Sequence, residues 1–260
     1  MPNYKFILII RFGVKMEIAN SQSQFDSLAI FYEQMFEWPF RKQIETPSVI
    51  EQLGDVSSLN ILDFGCGTGH YARLLKSSGA HHVVGFDVAG GMLEYAKKRE
   101  MEKPLGIEYI SKITPEMAHT FDLVLAVYVL PYATDYDFLK EMVATMARML
   151  KPGGRLLTLP LNPEYKVDQE YYLPYGFQLS GTQPQQDGST VQLSFPQQSG
   201  APICANYWSR GAIDSALAHN GFTVTCWRNP EAACAADEIP EHLHAYLAHP
   251  HTVLVDCKLG

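Results

Sequence analysis

The sequence has no dense cluster of basic side chains. It contains 20 Lys and Arg against 28 Asp and Glu, which gives a formal net charge of −8. Proteins that bind nucleic acids usually carry a basic patch or stripe, and no such stretch is visible along this chain. The acidic balance therefore disfavours a nucleic-acid substrate.

Paired cysteines are missing as well. The five cysteines are an odd number, and none has the CxxC spacing of metal sites: Cys66, Cys204, Cys226, Cys234 and Cys257. This pattern argues against a disulfide framework and against a zinc site. We interpret these residues as reduced thiols of a cytosolic protein, used as small buried apolar side chains. We also expect no metal ion.

Long apolar runs are also absent. The N-terminal stretch KFILIIRFGV is interrupted by Arg11 after five apolar residues, which is too short to span a bilayer. We expect residues 1–20 to be a poorly ordered extension, with Met16 as the natural start. We further expect a cytoplasmic protein with no membrane partner.

The chain does contain a regular alternation between Asn60 and Leu161. Short apolar runs, typical of strands buried on both faces, alternate with amphipathic stretches typical of helices. This order predicts an α/β fold with a Rossmann-like, mostly parallel sheet of seven strands and helices on both faces. The segments FTVTCWR and HTVLVDCKL supply the last two strands, one of them antiparallel. The predicted core comprises residues 21–161 and 209–260.

Residues 162–208 interrupt this alternation. The segment is rich in Gln, Tyr, Pro and Gly and is too long for a simple connection. Alternating stretches such as STVQLSF predict small antiparallel strands, so we treat residues 162–208 as a cap inserted after strand five. Outside the cap, residues 25–40 predict a helix that ends near Pro39. A second helix is predicted from Ser209, its N-cap, to Gly221.

The most informative stretch is LDFGCGTGHY, residues 62–71. A glycine-rich turn between a strand and a helix lets a nucleotide-like ligand approach the backbone. A P-loop is excluded because GxxxxGK[ST] is absent, and the G-x-G-x-G spacing puts His70 where a dinucleotide fingerprint has its third glycine. Asp63 would repel a pyrophosphate but suits an ammonium group, and Asp87, at the end of the next strand, can accept both ribose hydroxyls. Each carboxylate has helix capping as its alternative role.

Four motifs in order resemble those of class I S-adenosylmethionine-dependent methyltransferases: ILDFGCGTGHY, GFDVAGGMLEYA, FDLVLAVYVLPY and LKPGGRLLTLPL. The resemblance covers residues 25–161 and, more loosely, the two final strands. It implies S-adenosylmethionine as the methyl donor and S-adenosylhomocysteine as its product. The ligand is then expected at the carboxyl ends of the first strands.

The resemblance also implies roles for individual residues. Asp63 matches the acid near the methionine ammonium, Gly65 and Gly67 match the turn that packs against the cofactor, and Asp87 matches the ribose acid. Three further residues match an apolar neighbour of adenine, a backbone carbonyl near the ammonium and an aromatic closing over the methionine: Met92, Ala126 and Tyr32. Core packing is the alternative for Met92 and Tyr32. The usual acid after the third strand is missing, which leaves Ser111, Lys112 or Glu116 for the adenine amino group.

The methyl acceptor is inferred from missing motifs and from the cap. The stretch VYVLPY, residues 127–132, lacks the Asn/Asp-Pro-Pro-Tyr/Phe and Pro-Cys patterns of enzymes that methylate nucleic acids or protein amides. The cap loosely resembles small-molecule methyltransferases of bacterial secondary metabolism, of the toxoflavin N-methyltransferase type. Its aromatic residues are either an acceptor pocket or the core of the cap: Tyr171, Tyr172, Tyr175, Phe177, Tyr207 and Trp208.

We therefore predict methyl transfer to nitrogen or oxygen of a small aromatic or heterocyclic metabolite. Tyr128 and Tyr132 are the predicted catalytic residues, and His70, His119, His242 and His244 are further candidates for a base. A non-catalytic protein that binds S-adenosylmethionine is one alternative, and a nicotinamide-dependent oxidoreductase is another. The predicted partners are a small-molecule substrate and, at most, a second copy of the chain.

Overall fold

A twisted sheet runs through the centre of the molecule. The computed structural model describes residues 25, 28–197, 202–232 and 239–260, so the predicted extension and Cys234 lie outside the described residues. Within that part of the chain the sheet has seven strands in the order β3-β2-β1-β4-β5-β10-β9. Their bounds are β1 Asn60–Phe64, β2 His82–Phe86, β3 Glu108–Ile110, β4 Phe121–Val127, β5 Leu150–Leu159, β9 Phe222–Arg228 and β10 Leu254–Leu259.

The strand directions confirm the predicted fold class. Neighbouring strands from β3 to β5 are parallel, while β10 runs antiparallel to both β5 and β9. The strand order reverses at β1, where β2 lies on one side and β4 on the other. Ligands of open α/β sheets bind at this point, beyond the carboxyl ends of the strands.

Helices cover both faces of the sheet. Successive residues of β1 point to opposite faces, so Ile61 joins one buried core and Leu62 the other. The first core receives α2 Thr46–Leu53, α3 His70–Ser77 and α4 Gly90–Glu102. The second receives α5 Tyr136–Met149 and α6 Arg210–His219. As predicted, the Ser209 side chain caps α6 by accepting a hydrogen bond from the amide of Ala212.

The first helical region differs from the prediction. Helix α1 covers Ala29–Met35 only, and Pro39 stands near the start of the next helical stretch. Proline suits a helix start because its missing N–H has no partner there anyway. This stretch passes through a π-helical turn, Arg41–Glu45, before it continues as α2. π-Helical turns are rare and occur often at functional sites.

The cap contains the predicted antiparallel strands. Its three-stranded sheet consists of β6 Gln178–Gly181, β7 Thr190–Ser194 and β8 Ile203–Asn206. The cap packs with the π-helical turn and with α7, Glu241–Ala248, in a separate apolar cluster.

Membrane-spanning helices and clusters of metal ligands are both absent from the described residues. Among the described residues, no helix combines the length and apolarity needed to cross a bilayer. In the same residues, no three His, Cys, Asp or Glu side chains lie close enough together to hold a metal ion.

Candidate functional site

A cavity lined by described residues lies at the point where the strand order reverses. This first cavity is bounded by the ends of β1, β2 and β4 and by α1, α4 and α5. Its lining includes most of the residues predicted to hold the cofactor: Tyr32, Asp63, Gly65, Gly67, Asp87 and Met92. The structure thus brings together residues that are 60 positions apart in the sequence.

The glycine turn needs its glycines for two different reasons. Gly65 has a φ of +77°, and a Cβ there would come within 2.6 Å of a methyl group of Val129. Gly67 has a φ of +53° with open space around it, so only its backbone conformation disfavours a side chain. The turn therefore presents bare backbone to the cavity, as the sequence pattern indicates.

Asp63 is a buried carboxylate with one unused oxygen. It is 2% exposed, and its Oδ2 atom has no hydrogen-bond partner. Burial raises the pKa of this carboxyl to about 7, with a further contribution from the charge of Asp87. A buried oxygen without a partner is costly unless a ligand supplies a donor. An ammonium group in the first cavity would supply that donor.

Asp87 has a different environment. Its Oδ2 accepts the amide of Gly67 at 2.7 Å, and its Oδ1 accepts the amide of Ala89 at 2.8 Å. These bonds fix the carboxylate at the rim of the first cavity and join the glycine turn to the start of α4. Each carboxylate oxygen has a second lone pair, so Asp87 can still accept hydroxyl groups.

The remaining predicted cofactor residues occupy different positions. Met92 lines the first cavity and packs with Ala29 and Ala89 in a small apolar cluster, so both roles considered for it are compatible with its position. Ala126 does not line the cavity; its carbonyl accepts a hydrogen bond from Thr158 Oγ1 at 2.8 Å. The next residue, Val127, does line the cavity.

Two tyrosines close the first cavity on the side of α1. The hydroxyls of Tyr32 and Tyr132 share a hydrogen bond, and Phe25 packs edge-on against both rings. Helix α1 is tied to α3 by an ion pair of 2.5 Å between Glu33 and Arg73. Tyr32 is therefore placed where the resemblance implies a closing aromatic. The three residues considered for the adenine amino group are exposed and line neither cavity: Ser111, Lys112 and Glu116.

A second cavity lies between the core and the cap sheet. It shares Tyr32, Arg41, Tyr128 and Tyr132 with the first cavity, so the two spaces meet at these side chains. Its other walls are mostly apolar and come from α1, the residue before the π-helical turn, the turn after β4, the segment after β5 and the cap, with His251 added: Met35, Phe40, Pro131, Leu161, Phe177, Leu179, Val191, Leu193, Ile203 and Ala205. Of the cap aromatics singled out in the sequence, Phe177 alone lines it.

The five aromatics predicted to bind substrate line neither cavity. The hydroxyl groups of three of them donate to backbone carbonyls in or beside α7: Tyr171 to Ala245, Tyr172 to His249 and Tyr175 to His242. Tyr207 donates to the Pro163 carbonyl at 3.4 Å, and the ring of Trp208 is buried in the core of α5 and α6. The positions of the four tyrosines fit the alternative interpretation, in which aromatic side chains form the core of the cap, whereas Trp208 belongs to the core of the main sheet.

A cluster of buried polar side chains that the sequence did not predict lies where the cavities meet. This buried polar cluster comprises Arg41, Glu45, Tyr128, Tyr246 and His251. Arg41 and Glu45 lie four residues apart in the π-helical turn, with Nε and Oε1 separated by 3.5 Å. Glu45 is fully buried and accepts the hydroxyl of Tyr128. The sequence of this turn, RKQIE, resembles that of an ordinary exposed helix, so nothing in it indicates that Arg41 and Glu45 are buried.

The hydrogen bonds of the cluster define its protonation. The hydroxyl of Tyr128 donates its hydrogen bond to Glu45, so Tyr128 Oη accepts from His251 Nε2, which lies 3.1 Å away. The other ring nitrogen, Nδ1, then accepts from Tyr246 Oη at 2.9 Å. Burial, aided by the charge of Arg41, lowers the pKa of His251 to about 3. His251 is therefore neutral and carries its proton on Nε2.

Neither predicted catalytic tyrosine is easily ionised. Burial, reinforced by the charge of Glu45, raises the pKa of Tyr128 well above its usual value. Burial also raises the pKa of Tyr132, with Tyr32 as a second cause. Tyr128 has a φ of +58°, an uncommon backbone conformation for a residue with a large side chain. This conformation occurs directly after β4, where the side chain lines both cavities.

The histidines considered as bases lie elsewhere. His70 stacks on Phe36, with ring centroids 3.6 Å apart, and burial lowers the pKa of His70 to about 3. His119 contacts the carbonyl of Leu150 through Nδ1, whereas His242 and His244 are exposed on α7. None of these four residues lines either cavity.

Comparisons with known proteins agree with this geometry. Residues 61–154 match the family described as "Methyltransferase domain". Demethylmenaquinone methyltransferase of Lactococcus lactis is 34% identical over 164 residues, which are 58% of this chain and 64% of that protein. Ubiquinone biosynthesis O-methyltransferase of Coxiella burnetii is 29% identical over 121 residues, which are 45% of this chain and 50% of that protein. The chain thus matches less than two thirds of the length of these relatives.

A solved structure gives the same picture at the level of the fold. An S-adenosylmethionine-dependent methyltransferase from Mesorhizobium loti superposes with a TM-score of 0.60 and 21% identity, covering 82% of this chain and 97% of that one. At this identity the likeness concerns the fold alone. Residues 61–154 thus match a methyltransferase domain, and the four motifs, the strand order and the fold are similar to those of class I S-adenosylmethionine-dependent methyltransferases.

Proposed function

We propose that this protein transfers a methyl group from S-adenosylmethionine to a nitrogen or oxygen atom of a small aromatic or heterocyclic metabolite. The single observation that carries the proposal is Asp63, whose buried Oδ2 has no partner and lines the first cavity. A cationic amino acid group satisfies this oxygen, whereas a pyrophosphate would place like charges together. The same observation disfavours a nicotinamide dinucleotide.

The rest of the first cavity suits the other parts of the proposed donor. Asp87 is positioned to accept the ribose hydroxyls, since backbone amides hold its carboxylate at the rim. Met92 and Val88 line the cavity beyond Asp87 and offer apolar contacts for the adenine ring. Val127 and the glycine turn offer backbone atoms at the ends of β4 and β1.

The second cavity is the proposed site of the acceptor. It joins the first cavity at Tyr32, Arg41, Tyr128 and Tyr132, so an acceptor there would face the donor directly. Its apolar walls suit a small ring system, because small-molecule pockets are lined mainly by apolar side chains with few polar groups. The names of the two curated relatives, which refer to demethylmenaquinone and to ubiquinone biosynthesis, fit an acceptor of this class.

The chain contributes mainly position and exclusion of water. When bound, S-adenosylmethionine supplies a methyl group on a sulfonium, which needs an aligned nucleophile and little further chemistry. The ring nitrogen of a heterocycle attacks without losing a proton. For a hydroxyl acceptor, Tyr128 can take the proton while it passes its own to Glu45, with which it is already hydrogen bonded. Tyr128 then acts as a relay and stays neutral.

The test combines binding and methyl transfer. Calorimetry should show binding of S-adenosylhomocysteine and none of NADH, and methyl-labelled S-adenosylmethionine should label a small molecule in a bacterial metabolite extract. Binding of NADH alone would indicate the oxidoreductase. Binding of S-adenosylhomocysteine without any labelled product would favour the non-catalytic alternative. Mass spectrometry of the labelled product identifies the methylated atom.

The finer expectations stay predictions. These are a role in bacterial secondary metabolism, a cytoplasmic location, independence of metal ions and a monomeric or homodimeric state. Methyl transfer measured with and without a chelator tests the metal, and light scattering during chromatography tests the assembly. A labelled product that is a nucleic acid or a protein would contradict the proposed acceptor class.

A further inference from the structure

Arg41 is a buried cation placed where the two cavities meet. Its side chain is 4% exposed, yet it lines both the first and the second cavity. The guanidinium carbon lies 4.8 Å from the ring centre of Phe36 and 5.1 Å from that of Tyr128. Arg41 is therefore held between two aromatic rings, as guanidinium groups often are in recognition sites.

The guanidinium does not have all the acceptors that it needs. Arg41 Nε and Nη1 are buried and have no hydrogen-bond partner. The nearest carboxylate oxygen, Glu45 Oε1, is 3.5 Å from Nε, and both oxygens of Glu45 already accept tyrosine hydroxyls, from Tyr71 and Tyr128. A buried donor without an acceptor is costly, and the cost is larger for a charged group. An acceptor from outside the chain would remove that cost.

The described side chains around the second cavity offer Arg41 no hydrogen-bond acceptor, so a ligand would have to supply one. Among the described residues that line the second cavity, Arg41 is the one with a charged side chain. His251 is neutral there, and its nitrogens are both engaged with Tyr128 and Tyr246. The walls contributed by the cap are apolar, so they offer Arg41 no acceptor. Burial acts to lower the pKa of the guanidinium, but the charge of Glu45 acts against it and the pKa is raised overall, so Arg41 is charged.

We propose that Arg41 binds an acidic oxygen of the methyl acceptor, while the apolar body of the acceptor fills the second cavity beneath the cap sheet. The inference rests on the proposed function and narrows its substrate class to molecules with a carboxylate or an ionised ring hydroxyl. A planar guanidinium binds such oxygens through two parallel N–H groups, which also fixes the orientation of the ring. Charge thus selects the acceptor, and shape positions it.

The first experiment uses the wild-type protein with S-adenosylhomocysteine present. Dissociation constants are measured by ligand-observed NMR for pairs of nearly equal shape: 2-naphthoate and 2-naphthamide, then 4-nitrophenol and 4-nitroaniline. We expect the acid of at least one pair to bind roughly tenfold or more tightly than its neutral partner. The pair that shows the preference tells whether the oxygen is a carboxylate or a phenolate. Equal binding within both pairs would overturn the proposal.

The second experiment compares Arg41→Gln with Arg41→Lys. Arg41→Gln should remove the preference for the acid and leave the affinity for the neutral partner within about threefold, since neutral contacts do not depend on the charge. Arg41→Lys should retain part of the preference through its charge but lack the planar fork. An equal loss for the acid and its neutral partner would show a merely structural role and overturn the proposal.

A third variant covers the case in which Arg41→Gln does not fold. Leu193 lies in β7 and lines the second cavity but not the first. The substitution Leu193→Trp should therefore reduce the volume of the second cavity and leave the first unchanged. It should abolish binding of both members of a pair and preserve binding of S-adenosylhomocysteine. Unchanged binding of the acid would place the ligand elsewhere and overturn the proposal. Failure of S-adenosylhomocysteine to bind the wild type would instead reject the proposed function, so the two failures are distinguishable.

Discussion

The two cavities meet at the same side chains but have opposite charge. Arg41 lines both cavities. The first adds the carboxylates of Asp63 and Asp87, whereas Arg41 is the charged side chain among the described residues that line the second. The carboxylates stand at the ends of parallel strands, and the guanidinium stands in a π-helical turn. The contrast indicates that one enclosed space is divided between a cationic ligand and an acidic one.

Each cavity contains a buried charged group that lacks hydrogen-bond partners, which is costly in free energy. Asp63 is buried with an unused oxygen, and Arg41 is buried with two unused nitrogens. Both groups are therefore poorly satisfied without ligands, and their free energy of desolvation favours binding of a partner of opposite charge. A site of this kind is prepared for two reactants at once.

The largest expected effect is on the first cavity. Asp63→Asn should weaken binding of S-adenosylhomocysteine by about 2–5 kcal/mol, because the ligand's ammonium would lose a buried charged partner. Calorimetry measures the change directly. Asp122→Asn is the matched control, since Asp122 belongs to β4 but pairs with Lys151 away from the cavities. An unchanged affinity in Asp63→Asn would show that the first cavity does not bind the ligand's ammonium group through Asp63.

A second prediction concerns pH. Because burial raises the pKa of Asp63 to about 7, the carboxyl is largely protonated below that pH in the free protein. The ammonium ligand needs the ionised form, so affinity for S-adenosylhomocysteine should rise with pH, by up to roughly tenfold per pH unit below 7, and then level off. Titrations between pH 5.5 and 8 measure the slope. The Asp63→Asn protein should show little slope, and an equally steep slope there would assign the proton to another group.

The third prediction separates the two carboxylates. Asp87→Ala should weaken binding of S-adenosylhomocysteine by about 1–3 kcal/mol, since the ribose hydroxyls lose their acceptor and the Gly67 amide loses its partner. The difference between the two proteins should shrink for the 2′-deoxy analogue of the ligand. If the analogue shows the full difference, Asp87 acts by holding the glycine turn and does not contact that hydroxyl.

The smallest effect is expected in the cap. Tyr172→Phe should lower the free energy of unfolding by about 1 kcal/mol, because Tyr172 Oη donates to the His249 carbonyl and accepts from the Lys166 amide, both at 3.0 Å. Urea unfolding measures it, with Tyr136→Phe on the exposed start of α5 as a control. A raised KM for methyl transfer with unchanged stability would restore Tyr172 to the substrate-binding role predicted from the sequence.

The first cavity could be predicted from the sequence because its parts are local. Asp63 and the glycine turn are consecutive in the chain, and Asp87 follows after one helix and one strand. Their roles depend on backbone geometry that strand and helix ends impose at short range. The fold class was accessible for the same reason, since the alternation of buried strands and helices is visible in consecutive residues.

The second cavity could not be predicted in this way. Its walls combine Arg41, Tyr128, the cap strands and His251, which span more than two hundred residues of the chain. No spacing in the sequence marks such a set, and the aromatics that were conspicuous in the cap pack against α7 instead. The prediction assigned these aromatic side chains to substrate binding, whereas a small appended sheet needs large side chains for its own stability.

The π-helical turn has a consequence for how this region tolerates insertions and deletions. Successive residues of a regular α-helix are offset by about 100°, so adding or removing one residue rotates everything on one side of the change. The wide turn at Arg41–Glu45 holds one extra residue relative to a regular helix. A single deletion there would restore regular winding and change the spacing of Arg41 and Glu45 from four residues to three, which would alter the direction of the guanidinium relative to α2. The position of Arg41 where the two cavities meet therefore depends on the extra residue in this helical turn.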